Sequence, residues 1–184
     1  MADSVERAVP LATEVLRSFD ERFDRHWNAG MRAKLGLPEV AADQAATEAL
    51  FDDLLAMLQG QRVDTTSFFR AMSGAVRGDD AAVRSLFSDP AAFDEWAARW
   101  RLERSADTRP AGAVADAMDR VNPIYIPRNH LVEEALAAAT AGDMAPFTTL
   151  LEVVSSPFVE RSGFERYTQP APDGGVPYQT FCGT

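Results

Sequence analysis

From Leu11 onward an apolar residue recurs at every fourth position, through Val15, Phe19 and Phe23 to Trp27, with Ala12 and Leu16 beside them. Arginine, aspartate and glutamate fill most of the positions between. That period fits one face of an α-helix and cannot serve a strand, whose faces alternate every second residue. It predicts a long helix over residues 3–29. Pro10 either kinks this helix or marks its true start. Gly30 and then Gly36-Leu37-Pro38 punctuate its exit.

The same grammar continues downstream. A second helix is expected over residues 42–59, with Leu50, Phe51, Leu54, Leu55 and Leu58 as its buried stripe and Gly60 as its stop. Asp64 caps a third, whose Phe68, Phe69, Met72 and Val76 share a face before Gly78. Asp79 opens a short fourth carrying Val83, Leu86 and Phe87. Asp89-Pro90 starts a fifth bearing Phe93, Trp96 and Trp100. Residues 111–120 are weakly helical, with Val114, Ala117 and Met118 inward. A helix over residues 127–141 turns Leu131, Ala135, Leu136 and Ala139 inward. Gly142-Asp143 stops it and caps the last, with Phe147, Leu150, Leu151 and Val154 as its stripe and Pro157 at its end.

No alternating run reaches five residues, and no Asn-Gly hairpin occurs. The expected fold is all-α, an irregular bundle of about seven to eight helices. One domain spans residues 1–168, followed by a Pro/Gly-rich, loop-like tail at 169–184. Gly78-Asp79 and Gly142-Asp143 are followed by apolar residues at the same offsets. Shared stop-and-cap grammar or a duplicated helical hairpin would both produce that echo.

Charge narrows the function classes. The net charge of −10 argues against nucleic acid, whose affinity rests on cationic neutralisation of phosphates, and against anionic membrane. No window approaches the ~18 uninterrupted apolar residues of a spanning helix. The N-terminus lacks a signal-peptide layout. The single cysteine, Cys182, excludes an internal disulfide framework and a cysteine zinc site. The default compartment is cytoplasmic.

Catalytic motifs are missing. There is no Gly-x-Gly, no Gly-x-Ser-x-Gly and no His-Glu-x-x-His. Lys34 is the only lysine, and Leu35 follows it where a phosphate loop needs Ser or Thr. The least generic stretch runs from Asn122 to Glu134. Pro123 and Pro127 force extended backbone at Asn122 and Ile126, making a stiff strut that delivers Arg128, Asn129 and His130 to a helix start. A cation in that first turn opposes the helix dipole. Arg128 therefore either pairs with a carboxylate from another helix or joins the free N–H groups in an anion site. His130 reads as a capping or surface residue; with Glu133 and Glu134 it would need a further ligand to hold metal. His26 carries the same surface reading. Cys182, on a tail, suits either redox pairing or an inert thiol.

The string Asn122-Pro123-Ile124-Tyr125-Ile126-Pro127-Arg128-Asn129-His130 resembles the carboxy-terminal region of the selenoprotein O family, also called YdiU. That family typically shows Asn-Pro-x-Tyr-x-x-Arg-Asn there. Met31-Arg32-Ala33-Lys34-Leu35-Gly36-Leu37, Asp64-x-Thr66-x-Phe68-Phe69-Arg70, Trp96-x-x-x-Trp100 and Gly163-Phe164-Glu165-Arg166-Tyr167 are similar to it in the same order. The likeness covers nearly the whole chain.

The resemblance implies a parent enzyme with a kinase-like fold that binds ATP with magnesium and transfers AMP to protein hydroxyls. Its catalytic motifs lie in the amino-terminal two thirds of the family's chain and have no match here. No catalytic, cofactor-binding or metal-binding residue carries over. The implied role is a non-catalytic helical domain partnered with the kinase-like domain and, through it, with protein substrates; a free-standing helical interaction module is the alternative. Asn122, Pro123, Tyr125, Arg128 and Asn129 would form a structural joint. An exposed apolar patch is expected where the kinase-like domain docks. The family's tail often carries a Cys-x-x-Cys pair, whereas Phe181-Cys182-Gly183-Thr184 offers one thiol. Cys182 could then pair only outside this chain.

Overall fold

The computed structural model describes residues 2–40 and 43–172, with side chains from residue 8 onward. Among these residues there are eight α-helices and no strand. They are α1 (Ala2–Leu35), α2 (Gln44–Gly60), α3 (Thr65–Val76), α4 (Ala81–Arg84), α5 (Pro90–Arg104), α6 (Ala111–Asp119), α7 (Asn129–Thr140) and α8 (Ala145–Val154). A single 3-10 turn follows at Glu165–Tyr167. The fold is all-α.

The main core lies between α2, α3, α5, α6 and the last two turns of α1. Phe68 sits at its centre and meets Phe69, Phe87, Phe93 and Trp96 edge-on, with ring centroids 5.5–6.4 Å apart. That geometry sets the positive ring edges against negative faces. The indole N–H of Trp96 donates to the Leu50 carbonyl and that of Trp100 to the Leu35 carbonyl, each at 2.9 Å. Both tryptophans thus satisfy a buried polar atom while tying α5 to α2 and to the end of α1.

Asp64 and Asp89 cap α3 and α5 as expected, and Asp43, absent from the sequence expectation, caps α2. The Asp43 side chain accepts from the Ala46 N–H, Asp64 from Ser67 and Asp89 from Ala91. Gly78 and Gly142 close α3 and α7 with φ of 94° and 92°. After each, an aspartate accepts from the N–H two residues on, at 2.9 Å in both cases. The echo is therefore one local motif used twice, while the following helices differ in length, at 4 and 10 residues.

Several boundaries and faces depart from the sequence expectation. The first helix does not stop at Gly30 and begins before Pro10. Gly30 stays helical, and termination waits for Gly36, which takes φ of 64° and lets the Leu37 N–H bond the Arg32 carbonyl. The α7 helix starts at Asn129, not Pro127, because Arg128 is still extended at φ −65°, ψ 130°. On α6 Ala115 is buried and Ala117 only half-buried. Leu55, Leu136, Phe147 and Leu151 face outward, and Val153 is buried on α8. The reason on α7 and α8 is that these helices pack mainly on each other. Their small core of Leu131, Ala135 and Leu150, flanked by Val132, Val154 and Tyr167, stands apart from the main one. A hairpin covered on one side leaves its other apolar residues in solvent.

Candidate functional site

The segment from Asn122 to Arg128 connects the main bundle to the α7–α8 hairpin, and its polar side chains bond to elements around it. Asn122 is buried, and its amide N–H donates to the Lys34 carbonyl at 2.8 Å while its Oδ1 accepts from Lys34 Nζ at 3.4 Å. Arg70 of α3 donates to the backbone carbonyls of Asp119 and Asn122. The Ile124 N–H donates to the Pro157 carbonyl at 2.7 Å. Tyr125, also buried, accepts from the Arg161 N–H at 3.0 Å and donates to the Arg161 carbonyl. The guanidinium of Arg161 lies over the Tyr125 and Phe164 rings. Pro123 is half-buried and Asn129 exposed.

Arg128 supplies the principal tie. Its two terminal nitrogens donate to the two carboxylate oxygens of Asp64, 2.9 Å on each arm, and Nη2 also donates to the Thr168 carbonyl at 2.9 Å. The parallel fork is the strongest geometry open to an arginine and a carboxylate. Asp64 Oδ2 also accepts from the Ser67 N–H and hydroxyl. Burial raises the Asp64 pKa, but the bonds from Arg128 and Ser67 outweigh it and bring the group down to about 2. Asp64 thus caps α3 and receives Arg128 with the same carboxylate. The cap was legible in the sequence; Asp64 as Arg128's partner, and Arg70 and Arg161 as further ties, were not, because no local pattern links them.

The second feature is α1 itself. Its ridge Trp27, Met31, Leu35 enters the core, where Met31 and Leu35 are 4% and 0% exposed. The same ridge followed backwards is bare: Trp27, Phe23, Phe19 and Val15 are 42%, 53%, 61% and 67% exposed, and Leu11 and Leu16 lie open beside them. The rings of Phe19, Phe23 and Trp27 stack on one another at 6.1 Å and 6.2 Å. Scattered exposed apolar residues are ordinary, but an unbroken aromatic ridge along one helix is not.

A family model described as Protein adenylyltransferase SelO matches residues 5–155. The chain belongs to the SelO family. It is 54% identical over its whole length to the Protein nucleotidyltransferase YdiU of Mycolicibacterium paratuberculosis, covering 36% of that protein. It is 50% identical to the YdiU of Pseudarthrobacter chlorophenolicus and 44% identical to that of Sphingopyxis alaskensis, covering 97% and 98% of this chain but 35% and 37% of those relatives. The chain therefore spans about a third of the length of the relatives it matches. Both Arg128 and Asp64, and the whole α1 ridge, fall inside the SelO match.

Among the described residues no group of three or more His, Cys, Asp or Glu side chains is placed to hold a metal ion. Lys34 Nζ sits over the Phe69 ring, 5.1 Å from its centroid, and against Asn122, with its pKa lowered by burial. That is the setting of a packed lysine and not of one gripping phosphate. His130 is half-buried at the start of α7, and His26 lies exposed on α1. No described helix is long and apolar enough to cross a membrane. Cys182 lies outside the described residues.

Proposed function

We propose that this chain is the non-catalytic, carboxy-terminal helical part of a SelO-family protein adenylyltransferase. In this reading it packs on and supports the kinase-like part, where the parent binds ATP with magnesium and moves AMP onto hydroxyls of protein substrates. One observation carries it: the chain matches nucleotidyltransferases across nearly its full length yet makes up only 36% of such a relative. The Asn122–Asn129 segment is then an architectural joint that fixes the α7–α8 hairpin to the main bundle. A net charge of −10 favours protein partners over nucleic acid or anionic membrane, and the cytoplasm is the expected compartment. Cys182 would pair, if at all, with a cysteine of the kinase-like part.

The direct test incubates the chain alone with magnesium and ATP labelled at the α-phosphate, in the presence of mixed acceptor proteins. No labelled protein and no calorimetric ATP binding are expected. Metal-dependent AMP transfer by the chain alone would overturn the reading. The bare α1 ridge also suits a free-standing interaction module. A gene with no kinase-like sequence contiguous with the Met1 codon would favour that alternative, and a contiguous one would defeat it.

A further inference from the structure

The geometry of α1 points to its bare ridge as the seam on which the rest of the SelO polypeptide docks. We infer that the occupant is the part of the parent that this chain does not match, covering Val15, Phe19, Phe23 and Trp27. This rests on the proposed function and adds to it the surface and the orientation.

Three observations converge. First, the ridge is continuous with an interface already formed: stepping by four from Trp27 reaches Met31 and Leu35, both buried in the bundle. Second, a step of four residues advances about 40° around a helix beyond a full turn. Counted back from Met31, Trp27 lies about 40° round the axis, Phe23 about 80° and Phe19 about 120°, so the ridge winds progressively away from the side buried in the bundle. From Phe23 back to Val15 it is more than half exposed, so a cover for these turns comes from a body lying beside the bundle. Third, relatives contain far more chain than this one, which makes up 36% of the first of them. A segment tethered in the same polypeptide meets α1 at an effective concentration in the mM range, which a second copy in dilute solution does not reach. The seam is apolar and aromatic, with Asp20, Glu21, Asp24 and Arg25 beyond its edge. It therefore fits an apolar groove whose rim offers both signs of charge.

Trp27 makes the inference measurable. Of the three tryptophans, Trp96 and Trp100 are 3% and 0% exposed, so an added quencher reads Trp27. The experiment co-expresses this chain with the unmatched part of the M. paratuberculosis YdiU and purifies the pair. A stable complex is expected, in which acrylamide quenching of Trp27 falls several-fold relative to the chain alone. The triple variant F19E/F23E/W27E should weaken capture on the order of 100-fold, the effect of charging buried aromatic anchors. Leu136→Glu, on the exposed side of α7, serves as the control and should leave capture unchanged. Because all three substituted positions are exposed, circular dichroism of the triple variant should match the parent chain, which separates lost docking from lost folding.

A complex that forms equally well with the triple variant, or that leaves Trp27 quenchable, would place the seam elsewhere and overturn the inference. So would a homodimer of this chain, seen by light scattering and lost in the triple variant, with no heterocomplex formed. AMP transfer by the chain alone would instead sink the proposed function and leave the docking result standing.

Discussion

Arg128 and Asp64, 64 residues apart in sequence, form a two-armed ion pair at 2.9 Å on each side, with Arg128 only 7% exposed. The pair links the start of α7 to the start of α3. Removing one partner strands a desolvated charge, and Asp64 remains 22% exposed, so solvent relieves part of the loss. Arg128→Met should therefore cost ~2–4 kcal/mol. Asp64→Asn should cost less, since it keeps part of the cap. Urea titrations of both single variants and the double variant measure the coupling; additive losses would show that the fork contributes nothing of its own.

Acid should reveal the same carboxylate. Asp64 titrates at about 2 in the fold against 3.8 for the free side chain. A group depressed in this way stabilises fully above its unfolded value and loses that stabilisation as pH falls through the folded one. Between about pH 4 and pH 2 the protein should lose up to ~2 kcal/mol from this residue. In Asp64→Asn the stability profile should be flatter over that window. An unchanged profile would mean the pair is loose in solution.

How far the sequence spoke for this pair is instructive. Asp64 announced itself as a cap, because it stands just before the periodic run of Phe68, Phe69, Met72 and Val76, and Arg128 announced a cation misplaced at a helix start. Nothing local linked them, since pairing across helices depends on how the bundle closes. The same limit explains the misassigned faces. Periodicity told which residues share a side of α7, α8 and α1, but not whether another element arrives to cover that side. Phe147 and Leu151 share a face with no cover from the bundle, and Leu55 sits at the edge of the α2 stripe. The aromatic core was readable throughout, because Phe93, Trp96 and Trp100 recur at spacings of three and four and, with Phe68, are large rings that the bundle buries.

Gly36 is the next position open to test. Its φ is positive, and an added Cβ would lie 2.5 Å from Met118 Sδ and 2.8 Å from Val114 Cγ1. Met118 can swing aside, whereas the Val114 branch is held on α6. Gly36→Ala combines left-handed strain with overpacking and should cost ~2–4 kcal/mol. Thermal unfolding would show a fall of about 5–15 °C for a chain of this size. Gly30→Ala, in mid-helix with open space around it, should instead stabilise by ~0.5–1 kcal/mol.

Trp100→Phe keeps most of the buried ring and removes the indole N–H that satisfies the Leu35 carbonyl. The expected loss is ~1–3 kcal/mol, read by denaturant midpoint. Hydrogen exchange should speed up first in the last turn of α1. Uniform acceleration over all helices would indicate that the bond has only a global effect.

The Trp100 bond carries a mechanical consequence. It grips α1 at Leu35, while Val9 projects about 40 Å away along the axis. A helix clamped at one end behaves as a cantilever, and a tilt of 5° at the clamp moves the far tip by about 3 Å. Side-chain packing tolerates far less than that. In the docked state proposed above, the angular accuracy that seats Phe19 and Phe23 is therefore set by the surface that receives them, with the buried turn from Met31 to Leu35 as the fixed end.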